Sequence, residues 1–415
     1  MYDCLKRYKT IIFNKKVLII DRESKAILKL ELDKYNRISN KDLEYKLDKY
    51  FNRYIDEESI ENDINTAYFM VTNKCNLKCE FCSAMANIDG VSNLNLDFVK
   101  NEILPKLKKM GVSNIVISGG EPLLVNNLSE IVNQIKKELD VSITLQTNGI
   151  IVNEVLVNQL QDKIDYIDCS IQYYFQKMDK YSELEEKVIL LKKITKNLGM
   201  SFVIDSKNKD FTYKVLDLCN KYDLMLSLKF VDPIGNAINN NVPVLSDADK
   251  IDIYNNIINY IIENEYYNLK FMTNFKASIS FKESCGACKN IIAINSEGDI
   301  FVCYGLMEKE FLIGNIVDTN DNHIREKFRK KDFKFDYSNL FEKDAFKKCR
   351  ECKIKEICAG KCGAVKHYNN VSINQCDFIK LILIYSAFYY DENESMKENL
   401  IKFKECIKQK VYLDV

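Results

Sequence analysis

Residues 67–82 read Ala67-Tyr68-Phe69-Met70-Val71-Thr72-Asn73-Lys74-Cys75-Asn76-Leu77-Lys78-Cys79-Glu80-Phe81-Cys82. The first six are apolar or β-prone, and they predict a buried strand. That strand runs directly into three cysteines spaced C-x3-C-x2-C. Three thiolates can hold three corners of a four-iron cluster and leave one iron open to a ligand. A zinc loop with a distant fourth ligand is the competing reading. Phe81 gives the loop an aromatic flank.

Outward from this stretch the chain alternates strand and helix. Further strands are expected at Asn114–Ser118, Ser142–Asn148, Ile164–Gln172, Ser201–Asp205 and Met225–Val231. Helical patterns lie between them, over Leu96–Met110, Leu128–Leu139, Glu154–Lys163, Lys180–Leu198 and Phe211–Tyr222. Pro105 should kink or split the first of these. Six such repeats imply an α/β fold, a partial (β/α)6 TIM-like barrel over residues 66–270, closed by a helix at Asp247–Asn264. In such a barrel the chemistry sits at the carboxyl ends of the strands, where the cysteine loop begins. Residues 1–65 predict a small β-meander/helix domain, with strands at Thr10–Phe13, Val17–Asp21 and Ala26–Leu30. A helix presenting Leu43, Leu47 and Phe51 follows, then an acidic linker at Asp56–Asp63.

Strand alternation predicts which side chains enter the barrel. Ile167, Cys169 and Ile171 should face the helices, and Asp168, Ser170 and Gln172 the lumen. Likewise Gln146 and Asn148 point in, opposite Ile143, Leu145 and Thr147. Ser227 and Lys229 point in, opposite Leu226, Leu228 and Phe230. A polar lumen is a binding site rather than a filled core.

A second cysteine group lies in residues 271–380: Cys285, Cys288, Cys303, Cys349, Cys352, Cys358, Cys362 and Cys376. Eight thiolates can close two more four-iron clusters, and a pair of zinc knuckles is the competing reading. Periodicity is weak there, so metal ligation is expected to supply the fold. Of the fifteen cysteines, the four that remain, Cys4, Cys169, Cys219 and Cys406, fit no ligand spacing and read as structural thiols. A helical tail over 381–415 closes the chain.

Formal net charge is zero, so nothing in the overall charge points to nucleic acid. Met1–Thr10 has no apolar run of a signal peptide. Ile379–Tyr390, the longest apolar run, contains Lys380 and is too short to span a membrane. A cytoplasmic location is expected, where dense cysteines mean metal rather than disulfides. With two histidines in 415 residues, histidine-centred acid–base chemistry is not expected.

The Cys75–Cys82 motif after a first strand, and Ser118-Gly119-Gly120-Glu121-Pro122 after the second, resemble the radical SAM superfamily. The resemblance implies S-adenosylmethionine (SAM) on the open iron. Reductive cleavage would give methionine and a 5′-deoxyadenosyl radical that takes a hydrogen from substrate. It also implies that Gly119, Gly120 and Glu121 receive the methionine amino group and that Ser170 and Gln172 contact the ribose. Phe81 and Asn148 complete the expected SAM contacts. Relatives often carry aspartate at the Gln172 position and an arginine near Ser182. The pattern from Cys288 through Gly298 to Cys376 resembles the SPASM extension. By that likeness Cys285, Cys288, Cys303 and Cys362 hold a nearer auxiliary cluster, and Cys349, Cys352, Cys358 and Cys376 a farther one. Three [4Fe-4S] clusters are thus expected.

Relatives with this extension mostly modify peptides or proteins. The resemblance therefore implies a maturase that crosslinks a small ribosomally made precursor peptide, through a thioether in preference to a carbon–carbon bond. Its partners would be a leader-bearing peptide, with residues 1–65 taking up the leader on a strand edge, and a reductant such as flavodoxin or ferredoxin. A sulfatase-maturing enzyme that forms formylglycine is the alternative. A non-catalytic iron–sulfur electron-transfer protein is the alternative of another class.

Overall fold

The computed structural model describes residues 7–38, 40–54, 64–90, 94–175, 180–267, 270, 274–282, 287, 290–320, 324, 326, 349, 351–358, 360, 362–368 and 376–414. Three N-terminal strands, Tyr8–Phe13 (β1), Lys16–Asp21 (β2) and Ile27–Glu31 (β3), form an antiparallel sheet in sequence order. Phe13 pairs with Lys16 across a two-residue turn. Asn14 and Lys15 both take positive φ there, which matches the twist of the flanking strands.

β2 is buried on both faces. Val17 and Ile19 pack with Leu47 and Phe51 of the helix Asn40–Phe51 (α1). Leu18 and Ile20, with Ile11, join the large core of the rest of the molecule. The unit expected as an appended domain is thus built into the main core. The Leu43 side chain and the linker expected at Asp56–Asp63 lie outside the described residues.

Two charged side chains anchor this sheet. Asp21 is fully buried and accepts two hydrogen bonds from the Arg7 guanidinium, both at 2.9 Å, and one from the Ser24 hydroxyl at 2.6 Å. Burial alone would raise the Asp21 carboxyl, but these donors and two backbone N–H groups hold it below the usual carboxylate value. Glu356, buried between Cys352 and Cys358, pairs with Lys9 of β1 and with Arg22 just after β2.

The main sheet has nine strands. Six are parallel neighbours in chain order: Thr66–Thr72 (β4), Asn114–Gly119 (β5), Ser142–Thr147 (β6), Tyr166–Ser170 (β7), Leu198–Ile204 (β8) and Met225–Phe230 (β9). Each falls on an expected strand, with β8 beginning earlier than its reading. Gly199 explains the shift: a Cβ there would sit 2.0 Å from the Tyr166 hydroxyl, so this glycine makes room for a neighbouring side chain inside the sheet.

The helices cover the outer face. They are Leu104–Met110 (α2), Leu128–Glu138 (α3), Glu154–Leu160 (α4), Tyr181–Ile194 (α5), Thr212–Tyr222 (α6) and Asp247–Glu263 (α7). A π-helical turn over Val99–Ile103 leads into α2. Pro105 has no N–H to give, and the wider turn just before it absorbs the lost bond.

The cysteine-rich segment differs from its reading. Ile291–Ile294 (β10) pairs in parallel with β4, Thr66 opposite Ile291, and carries on through Asp299–Phe301 (β11) and Leu312–Asn315 (β12). Ile292, Ala293, Ile294, Ile300 and Val302 are buried. Apolar burial against the barrel sheet, and not ligation alone, orders this part. The tail is two helices, Asp377–Ile384 (α8) and Met396–Lys408 (α9), with a π-helical turn at Tyr385–Tyr389, packed on α7. Among the described residues no helix is long and apolar enough to cross a membrane.

Candidate active site and cluster loop

β4 ends at Thr72, and the loop after it brings Cys75, Cys79 and Cys82 together, each half-buried. The Cys75 N–H donates to the Asn87 carbonyl at 2.8 Å, and the Leu77 N–H lies 3.4 Å from the Cys75 sulfur. Burial, and then the neighbouring Cys82 and Cys75, push the Cys79 thiol up to about 12. Burial likewise raises Cys75. Iron bound to all three would relieve both effects by holding the sulfurs as thiolates.

Among the described residues, one group of three His, Cys, Asp or Glu ligand atoms all lies within 4.8 Å of one another, and it is Glu308, Glu310 and His367. The three loop sulfurs are spread more widely than that. Three cysteine thiols on one loop are the donor chemistry that a four-iron cluster with one open iron uses.

The Gly119-Gly120-Glu121 turn leaves β5 against the backbone that feeds this loop. Gly120 N–H donates to the Thr72 carbonyl at 2.7 Å, and Glu121 N–H to the Lys74 carbonyl at 2.9 Å. A Cβ on Gly119, whose φ is +128°, would lie 2.2 Å from the Thr72 oxygen, and one on Gly120 2.1 Å from the Lys74 oxygen. The Glu121 carboxylate is fully buried. It accepts from Leu123 N–H at 3.0 Å, the Thr147 hydroxyl at 2.7 Å and Asn148 N–H at 2.7 Å. Burial pushes its pKa up against these donors. Its side chain ties the ends of β5 and β6 together.

Asn148, just past β6, reaches the cysteine loop, donating from Nδ2 to Asn76 Oδ1 at 2.8 Å. The lumen is polar, as alternation predicts. Ser118 donates to Gln146 Oε1 at 2.7 Å, and Gln146 Nε2 to Asp168 Oδ2 at 3.3 Å. Lys229 Nζ lies 3.7 Å from the same Asp168 oxygen and donates to Ser201 Oγ at 2.9 Å. Ile143, Leu145, Thr147, Ile167 and Cys169 are buried on the other face. Ser170 is exposed at the carboxyl end of β7. Gln172 opens the short helix that follows β7 and donates to the Ser201 carbonyl at 3.3 Å. Phe81 is half-buried, and Ser182 is exposed near the start of α5.

The structure adds contacts that the sequence did not single out. Tyr68 on β4 stacks on Tyr304, with ring centroids 4.3 Å apart. Tyr304 directly follows Cys303, and Gly305 N–H points at the Cys303 sulfur at 3.4 Å. The segment after β9 returns to the cysteine loop: Asn236 N–H donates to the Cys82 carbonyl at 3.0 Å. The sheet is curved enough for its last parallel strand to meet the loop of its first.

A cavity of about 360 Å³ opens over this end of the sheet. Thr72, Asn73, Ser83, Met85 and Gly119 form one side, and Tyr304, Met307, Glu308 and Tyr368 the other. Of the auxiliary-cluster candidates, Cys303, Cys349, Cys352, Cys358 and Cys376 are half-buried and Cys362 is exposed. Cys376 precedes α8, where a thiolate is favoured by the helix N-terminus. Cys285 and Cys288 lie outside the described residues. Cys169, Cys219 and Cys406 are fully buried, apart from all of these; Cys4 is outside the described residues.

Similarity to known proteins falls on the same segments. Residues 69–198 match the family model of the radical SAM superfamily, and residues 285–353 match SPASM, an iron–sulfur cluster-binding domain. A probable GTP 3′,8-cyclase of Methanocaldococcus jannaschii is 29% identical over 185 residues, 41% of this chain and 60% of that protein. A cysteine-type anaerobic sulfatase-maturating enzyme of Clostridium perfringens is 22% identical over 331 residues, 69% of this chain and 85% of that one. Among solved structures, anSMEcpe with bound AdoMet superposes with a TM-score of 0.57 at 16% identity, covering 85% of this chain and 96% of that one. Streptococcus suis SuiB bound to precursor peptide SuiA gives 0.55 at 15% identity, covering 88% and 96%. These likenesses carry the fold. Both matched domains imply their cofactors, SAM for the first and [4Fe-4S] clusters for the two together. A barrel whose first strand ends in three clustered cysteines, joined through β10 to a second cysteine-bearing domain, makes this chain a radical SAM enzyme with a C-terminal SPASM domain.

Proposed function

We propose that this enzyme is a peptide maturase that takes a hydrogen from a ribosomally made precursor peptide and installs a crosslink, a thioether in preference to a carbon–carbon bond. Cys75, Cys79 and Cys82 hold the SAM-binding cluster, which when bound supplies the electron that cleaves SAM. Cys285, Cys288, Cys303 and Cys362 hold one auxiliary cluster, and Cys349, Cys352, Cys358 and Cys376 the other, for three in all. Gly119, Gly120 and Glu121 receive the methionine amino group. Asn148 fixes Asn76 beside the cluster. Ser170 and Gln172 lie at the ribose side of the lumen, and Phe81 flanks the loop.

The observation that carries the reading is the two-sided cavity. One wall is the SAM end of the barrel. The other comes from the SPASM domain, with Tyr304, Met307 and Tyr368 suited to peptide side chains. The outer edges of β1 and β3 pair with no further strand among the described residues, which leaves room for a leader to add as a strand. The precursor-bound SuiB structure has the same fold.

The likeness to GTP cyclases is weighed by charge. A nucleoside triphosphate needs cations around its phosphates. Among the described residues the cavity is lined by Glu297 and Glu308 and by no lysine or arginine. Formylglycine formation is the second reading, favoured by the sulfatase-maturating relative.

The test is anaerobic reconstitution, which should give about twelve irons per chain by four-iron arithmetic. Reduced protein with SAM should form 5′-deoxyadenosine, and Cys79→Ala should abolish that. Cysteine-containing peptides encoded beside the gene, incubated with the enzyme and read by mass spectrometry, should lose two hydrogens and a reactive thiol. Consumption of GTP, or an aldehyde in the Cp18Cys peptide found with anSMEcpe, would overturn the crosslinking reading.

A further inference from the structure

The cysteine loop is held from across the barrel. Three of its carbonyls are taken by one short segment that follows β9. The Asn236 N–H donates to Cys82 O at 3.0 Å, Asn236 Nδ2 to Cys79 O at 3.3 Å, and Asn240 Nδ2 to Glu80 O at 2.9 Å. Gly235 permits the approach. Its φ is +55°, and a Cβ there would lie 2.6 Å from Cys82 O and 2.7 Å from Ser83 O. These carbonyls belong to two of the three cysteines and to Glu80, one of the two residues between them. Fixing them fixes where two sulfurs point.

The same segment faces the cavity. Gly235, Ile238 and Asn239 line it beside Ser83 and Met85, and Asn239 Nδ2 lies 3.8 Å from the Met85 sulfur. The helix turn Asn236–Asn239 thus has the cysteine loop on one side and the cavity on the other. An occupant that presses on Ile238 or Asn239 acts on the donors that set the loop.

We propose that Asn236 and Asn240 are positioning residues of the SAM-cleaving site, a clamp that sets the geometry of the cysteine loop and couples it to occupancy of the cavity. This rests on the reading of Cys75, Cys79 and Cys82 as cluster ligands. Neither asparagine touches a reacting atom in this role. Each holds the backbone that carries the ligands.

The test uses the reconstituted full-length protein, reduced with dithionite, with SAM as the probe. The readout is the SAM-induced change in the electron paramagnetic resonance spectrum, titrated against SAM. Asn236→Asp keeps the size and the backbone N–H and replaces the side-chain donor with a carboxylate oxygen, which cannot donate to Cys79 O. Asn240→Ala changes an exposed residue, so it keeps the test open should the first variant fold poorly. In Asn236→Asp and in the pair Asn236→Ala with Asn240→Ala, half-saturation should need at least tenfold more SAM. The iron held by the eight downstream cysteines should stay bound. A titration midpoint within twofold of wild type in both Asn240→Ala and the double variant would overturn the clamp. If wild type shows no SAM-induced change, or Cys79→Ala keeps it, the ligand reading fails instead, and the clamp fails with it.

Discussion

A methyl group at Gly119 would have to occupy space 2.2 Å from the Thr72 carbonyl oxygen, at a φ of +128° that L residues rarely adopt. The turn has no slack on its other side, because Gly120 N–H is bonded to that same oxygen at 2.7 Å. Gly119→Ala should therefore push the β5 exit away from the cysteine loop. Expected are loss of SAM cleavage and a destabilisation of more than about 1 kcal/mol, checked by 5′-deoxyadenosine formation and thermal melting. Asp21 offers a second prediction at this scale. Asp21→Asn should cost about 3 kcal/mol at neutral pH, because it leaves Arg7 without its buried partner. The folded-state pKa of Asp21 is lowered, so its contribution is present above the ordinary carboxylate pKa and lost as pH falls through the lowered value. Denaturant titrations should show the gap between wild type and variant narrowing only below about pH 4. A gap that closes between pH 8 and 6 would contradict this.

The strands of the barrel were legible because each carries alternation or an apolar run between polar breaks. The lumen side chains of β6, β7 and β9 were legible for the same reason. The Ser118–Gln146–Asp168 hydrogen-bond chain was not, since it depends on register, which only strand pairing sets. The partners of the Glu121 carboxylate were also hidden. A glutamate after two glycines suggests an exposed acceptor, and only the fold brings Thr147 and Asn148 to its carboxylate. The segment Gly235–Asn240 carries no cysteine and no catalytic residue type, so its docking on the loop left no mark in the sequence. β10 was missed because four apolar residues are few and the dense cysteines around them suggested an order set by metal. Ile292 is fully buried at that junction. Ile292→Ala should cost about 3 kcal/mol and lower the iron held by the downstream cysteines while sparing the barrel cluster, as iron analysis and melting curves would show.

At the scale of the molecule, the N-terminal sheet is keyed to the SPASM domain as well as to the barrel core. Lys9 and Arg22 meet on Glu356, in the short helix Lys355–Cys358. Phe13 sits 5.7 Å from Phe388 in the C-terminal region. The strands of this sheet were legible from residue pattern but its docking was not, because the partners lie more than 300 positions away, as with Lys9 and Glu356. Glu356→Ala should cost about 2 kcal/mol, reduced from the full buried-pair value because both cations can turn toward water. Hydrogen exchange should rise in β1 and β2 without a matching rise in β5 to β7; unchanged exchange in β1 and β2 would show that apolar contacts alone hold the sheet.

The pairing of β10 with β4 also has a temporal side. β4 meets β5 across 48 positions, from Thr66 to Asn114, but meets β10 across 225, from Thr66 to Ile291. At about 5–20 residues per second of synthesis, the second edge of β4 stays open for roughly 11–45 s after the strand emerges. Cys75, Cys79 and Cys82 are complete at its end throughout that interval, before most of the downstream cysteines exist. The nascent barrel therefore passes through a stage with an unpaired apolar edge and a finished three-cysteine loop. Slow or starved cluster delivery, or overproduction, lengthens the exposure of that edge to other chains. The yield of this enzyme in a host should therefore depend on the pace of its synthesis as well as on the stability of its finished fold.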